Sequence, residues 1–131
     1  MSYLSNQDED AIAQRLSALP YGVAITIEGS PDDHYFAETL DLISYLTALN
    51  PEKVSYTVRV NASGVKVAMH SDETPDLDIA FWGVPSGLEF TSLMDAISHY
   101  GGMPYEIDSM MLELLGQLAT SVTASIFVTP T

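Results

Sequence analysis

The sequence predicts an α/β domain built on a mixed four-stranded sheet flanked by helices, with an extra strand at the C-terminus. Three observations carry that reading. A β-branched run at 21–28, a helical repeat at 34–49 and an alternating run at 54–60 follow one another in strand–helix–strand order, the arrangement of a parallel pair joined by a crossover. Two more strand-like runs, at 65–70 and 77–82, lie close enough in sequence to form a hairpin. From Leu88 the apolar residues return to a helical period.

Taken in order, Asp8 to Leu19 places Ile12, Leu16 and Leu19 at helical spacing behind an Asn/Asp-rich start that can cap a helix, and Pro20 ends it. Tyr21 to Glu28 alternates at Val23, Ile25 and Ile27 and stops at Gly29-Ser-Pro-Asp-Asp33, a stretch of turn chemistry. His34 to Leu49 repeats Phe36, Leu40, Ile43, Leu46 and Leu49 at three and four residues until Asn50-Pro51. Val54 to Val60 has a period of two, and Asn61-Ala-Ser-Gly64 separates it from Val65 to His70. Leu77 to Trp82 follows an acidic turn, with Trp82 at the strand end expected to be a packed aromatic ahead of a partner-facing one. Gly83-Val-Pro-Ser-Gly87 is a turn ahead of a helix marked by Leu88, Phe90, Leu93, Met94 and Ile97, which ends near Gly101-Gly102. Asp108 to Ala119 gives a last helix, with Met110, Met111, Leu114, Leu115 and Leu118 read as core packing. Ser121 to Thr131 reads as a terminal strand.

Composition bounds the function classes. At 131 residues the chain is one domain able to bury roughly two-thirds of its unfolded surface. No apolar run reaches the 18 residues that would suggest a membrane helix, and the acidic N-terminus lacks the basic and apolar regions of a signal peptide. A cytoplasmic location is expected. Eighteen acidic residues against four basic ones give a formal charge of −14, which repels phosphate backbones and anionic membranes, so neither nucleic acid nor membrane is an expected partner. The chain contains no cysteine, which excludes disulfides, thiolate metal sites and thiol chemistry in this chain.

The β-α-β then β-β-α order is that of a thioredoxin-like fold, and Phe81-Trp-Gly-Val-Pro-Ser-Gly-Leu-Glu-Phe-Thr-Ser-Leu-Met-Asp-Ala-Ile97, followed by Gly101-Gly102, narrows it. The stretch resembles the first of the two tandem thioredoxin folds in the N-terminal region of the flavoprotein subunit of alkyl hydroperoxide reductase. It is also similar to the first unit of the glutaredoxin-like protein disulfide oxidoreductases. The terminal Phe127-Val-Thr-Pro-Thr131 resembles the strand that precedes a Cys-x-x-Cys motif in the second unit of those families. The resemblance implies a cysteine-free thioredoxin-like domain over 1–120 and, at 121–131, a terminal strand that opens a second thioredoxin repeat.

In a redox-active thioredoxin fold two cysteines start the first crossover helix, where the helix N-terminus lowers a thiol pKa, and a cis-proline faces them. The matching dithiol position here is Asp33, His34, Tyr35 and Phe36, and the matching cis-proline position is Ser63-Gly64. Both are degenerate, and no catalytic residue is expected. The reading is a redox-inactive scaffold or interaction domain of a peroxide- or disulfide-reducing system. Its partner would be a dithiol-bearing thioredoxin fold in cis or in trans, and the chain could itself form a homodimer. A sheet edge and the terminal strand, through Val122, Ile126 and Val128, would carry the contact.

Two alternatives stand beside it: a ligand- or cation-binding module that uses the acidic loop at Asp32, Asp33 and His34, or a fragment of a longer dithiol oxidoreductase. No cofactor and no resident metal are expected. Asp32 and Asp33 fit helix capping better than acid–base chemistry. Asp72, Glu73, Asp76 and Asp78 lack the spacing of a calcium loop, and Ser86 lacks the Gly-x-Ser-x-Gly elbow of a nucleophile.

Overall fold

The computed structural model describes residues 4–61, 64–104 and 106–127. Helix α1 (Asn6–Ser17) is followed by β1 (Val23–Gly29), α2 (His34–Leu49) and β2 (Val54–Val60). Then come β3 (Lys66–His70), β4 (Ala80–Trp82), α3 (Leu88–Tyr100) and α4 (Ser109–Gly116). The sheet runs β2-β1-β3-β4. β1 and β2 are parallel in unbroken register from Val23↔Val54 to Gly29↔Val60, β1 and β3 are antiparallel, and β3 and β4 close the hairpin. This is the mixed sheet that the strand–helix–strand and hairpin patterns predict.

The period-two alternation of β1 decides where the core lies. Val23, Ile25 and Ile27 are buried, and the register sets them beside Val67 and Met69 of β3, also buried. Leu16 and Leu19 from the α1 end, Phe36, Ile43 and Leu46 of α2, and Leu93, Met94, Ile97 and Tyr100 of α3 join them in one cluster. Burying one such side chain contributes about 1.5–3 kcal/mol. The residues that alternate to the other face, among them Ala24, Thr26, Arg59, Lys66, Ala68 and Trp82, are exposed or half-buried. The helices therefore cover one face of the sheet.

Polar links fix the layers to each other. The Arg15 guanidinium donates to Asp95 at 2.8 Å, joining α1 to α3, and the Tyr45 hydroxyl of α2 donates to the Glu9 carboxylate of α1. Tyr100, almost fully buried, accepts from the Ile79 amide at 2.8 Å through its hydroxyl. That bond explains why β4 is shorter than the predicted 77–82: the Ile79 N–H is held by α3 and the ladder begins only at Ala80.

Three expectations fail. Residues 121–127 form no strand, and Val122, Ile126 and Phe127 stand 69%, 85% and 94% exposed. A strand needs a neighbour to take its N–H and C=O groups, and 121–127 pairs with none of the four strands of the sheet. Val128 lies outside the described residues. The helix at α4 does form, but Met110, Met111, Leu114, Leu115 and Leu118 are all exposed rather than core. Trp82 is 66% exposed instead of packed, because its position in β4 points to the open face of the sheet.

Candidate functional site

The start of α2 is where the degenerate dithiol residues fall, and the local chemistry explains the geometry. Asp33 takes an extended backbone (φ −85°, ψ 122°) and its side chain accepts from the Tyr35 amide, the arrangement of an N-cap. Ser30 prepares the turn, its hydroxyl accepting from the Asp32 amide at 3.3 Å and its carbonyl from the Asp33 amide at 3.0 Å. His34 points outward, 3.6 Å from Glu38 one turn on, with its ring edge-on to Tyr35 at 4.5 Å.

Phe36 alone of the four turns into the core. A Cβ on Gly29 would meet its ring at 2.5 Å, so glycine at the end of β1 is what lets the aromatic lie against the strand. The four positions thus do two ordinary tasks: Asp33 caps, and Phe36 anchors the crossover helix to the sheet. His34 and Tyr35 remain the exposed pair at the helix start.

Ser63 lies outside the described residues. Gly64 has φ +98°, a left-handed conformation open to glycine, and Val65 after it is buried. The pairing of β1 with β3 ends at Glu28↔Lys66, two residues short of Gly64.

A shallow groove among the described residues lies elsewhere. It is lined by Gly22, Val23, Lys53, Val54, His70 and Asp72, at the opposite end of β1 from Asp33. The His70 imidazole and the Asp72 carboxylate pair at 2.8 Å on its rim, both exposed, while the Lys53 ammonium donates to the Leu19 carbonyl at 2.8 Å and fixes one wall. Among the described residues no three His, Asp or Glu side chains converge as metal ligands would. Asp72, Glu73, Asp76 and Asp78 stand on the turn between β3 and β4, away from the start of α2. Ser86 is exposed in the turn before α3, its amide donating to the Val84 carbonyl.

The feature that sequence reasoning assigned to the core, and the structure leaves open, is the C-terminal segment. Every described residue from Met103 to Phe127 is exposed. Asp108 caps α4, its Oδ1 accepting from the Met110 amide at 2.8 Å, so the helix is locally well formed. Met110, Met111, Leu112, Leu114, Leu115 and Leu118 follow without a buried member. A sequence apolar on all sides of a helix was the available signal, since that pattern belongs to a helix covered on more than one side.

The assembled fold is thioredoxin-like. The chain is similar to the alkylhydroperoxide reductase AhpF of Enterococcus faecalis, with a TM-score of 0.72 at 14% identity over 86% of this chain and 59% of that one. It is similar to the NTD_N/C domain of AhpF from the same organism, with a TM-score of 0.72 at 14% identity over 85% of this chain and 59% of that one. A protein disulfide oxidoreductase from Aeropyrum pernix superposes with a TM-score of 0.68 at 18% identity over 90% of this chain and 56% of that one. The chain thus spans less than two-thirds of the length of each. No family model and no curated protein sequence matches it. No helix among the described residues is long and apolar enough to cross a membrane.

Proposed function

We propose that this chain is a redox-inactive thioredoxin-like scaffold of a peroxide- or disulfide-reducing system, and that its segment 103–127 receives a dithiol-bearing thioredoxin-fold partner. The observation that carries the proposal is an apolar α4 with no buried residue beside a packed domain. An eight-residue helix is marginal in water by itself, and its stability must come from an apolar surface laid against it. Val122 and Ile126, continuing the exposed apolar run, would enter the same contact, and Val128 belongs to it by sequence.

Two further facts support the reading. The chain has no cysteine, hence no thiolate for disulfide exchange, and Asp33 in the dithiol position is engaged as a helix cap. The solved structures it resembles are a hydroperoxide reductase and a disulfide oxidoreductase, each with chain beyond the matched part. In this reading the dithiol resides on the partner, in cis or in trans, and this domain positions it. The protein works in the cytoplasm, where such dithiols are kept reduced.

The test is capture from the native lysate with the wild-type chain and with a Leu114→Ser/Leu115→Ser variant. Recovery of a thioredoxin-fold protein with a Cys-x-x-Cys motif by the wild type, and its loss with the variant, is the expected result. Equal recovery by both chains, or partners without a dithiol, would contradict the proposal.

A further inference from the structure

The two edges of the sheet are treated differently. β4 is three residues long and runs at once into Gly83, with φ +97°, and the buried Pro85, so it offers little to a neighbouring strand. β2 has seven residues in unbroken register with β1, and no strand among the described residues lies on its outer side. Natural edge strands are usually shielded by charges, proline or a bulge. β2 has none of the acidic residues in a chain that holds eighteen, no proline and no bulge, and its single charge, Arg59, lies 3.9 Å from Glu28 on the inner strand β1. Beyond Val54 every residue of β2 is exposed, Val60 to 66%. Tyr56, Val58 and Val60 extend the row of buried Ile25 and Ile27 on the helix-covered side and remain open to solvent.

The strand is also complementary to itself. Run antiparallel about Thr57, the sequence Val54-Ser-Tyr-Thr-Val-Arg-Val60 sets Val54 opposite Val60, Tyr56 opposite Val58, and Ser55 opposite Arg59. All seven residues are then paired, apolar on one face and polar on the other, with an aromatic beside a β-branched residue and no like charges opposed. Displacing the axis to Arg59 would oppose two arginines and leave most of the strand unpaired. A two-fold contact of this kind is isologous and closes after two copies.

We propose that two copies of this chain pair antiparallel along β2, with the two-fold axis at Thr57, to form a continuous eight-stranded sheet. The contact is backbone strand addition, with Tyr56 and Val58 as the facing apolar pair. It is independent of α4 and of the partner proposed above.

Thr57 is exposed on the open face of the sheet and is no member of the core, which makes it a clean site for a charge test. Sedimentation or light scattering should find the wild type as a dimer of twice 14.2 kDa. Thr57→Glu and Thr57→Lys, each folded by circular dichroism, should each lose about tenfold or more in dimer affinity, because like charges then meet on the axis. An equimolar mixture of the two variants should dimerise again. A wild type that stays monomeric at about 1 mM, the weak end of specific affinity, overturns the proposal. So do two variants that dimerise as well as wild type, and so does a mixture that fails to restore the dimer.

Discussion

Helices α3 and α4 carry similar local signals and end in opposite environments. Each places apolar residues three and four apart, and α4 has the better start: Asp108 caps it through its side chain, whereas α3 begins at Gly87 without a side-chain cap. Yet α3 buries Leu93, Met94, Ala96, Ile97, Ser98 and Tyr100, and α4 buries nothing. The composition of the outward positions separates them. α3 spends its other face on Glu89, Ser92, Asp95 and His99, while α4 has little besides Glu113 and Gln117 to face water. A polar face shows that one side is enough, and its lack shows that more than one side is meant to be covered.

The contrast predicts a graded series of stability effects, read by far-UV circular dichroism in urea. Ile97→Ala should cost about 2–5 kcal/mol through a cavity in the core, whereas Leu114→Ala should stay within about 0.5 kcal/mol, as exposed positions do. Equal losses at the two sites would mean that α4 packs on the domain in solution. Tyr100→Phe should cost about 1–3 kcal/mol, since it strands the Ile79 amide that the hydroxyl accepts from. Asp33→Ala should cost about 0.5–2 kcal/mol because α2 is part of the cooperative unit. Asp108→Ala should lower helicity but leave the urea midpoint where it was, because α4 lies outside that unit. Smallest of all, Arg15→Ala removes an exposed pair worth about 0–1 kcal/mol. Added NaCl should raise the melting temperature despite weakening that pair, since it screens the repulsion of a net charge of −14.

The sheet was legible in the sequence because its evidence is local and redundant. The alternation at Val23, Ile25 and Ile27, the helical repeat from Phe36 to Leu46 and the hairpin spacing each leave one consistent topology. The start of α2 was legible for the same reason: an aspartate before a helical period is a cap wherever the helix packs. What stayed hidden depends on neighbours. Trp82 reads as a core aromatic until the register puts it on the uncovered face beside Lys66, whose ammonium lies 5.3 Å from its ring. Arg59 and Lys66 stand on strands that β1 separates, and Glu28 sits in register with both. The strand expected from Ser121 has the right residues but pairs with neither edge of the sheet among those described.

The domain to Gly102 is a packed unit, while among the described residues α4 buries nothing and is held by its own turns. Amide hydrogen exchange on the purified chain, read peptide by peptide, tests this claim most directly. The amides of Ile25 and Ile27 should exchange only with global unfolding, and those of 109–116 should exchange nearly as fast as an unfolded chain. Protection of α4 comparable to that of β1 would contradict the claim, because the helix would then already have its covering surface.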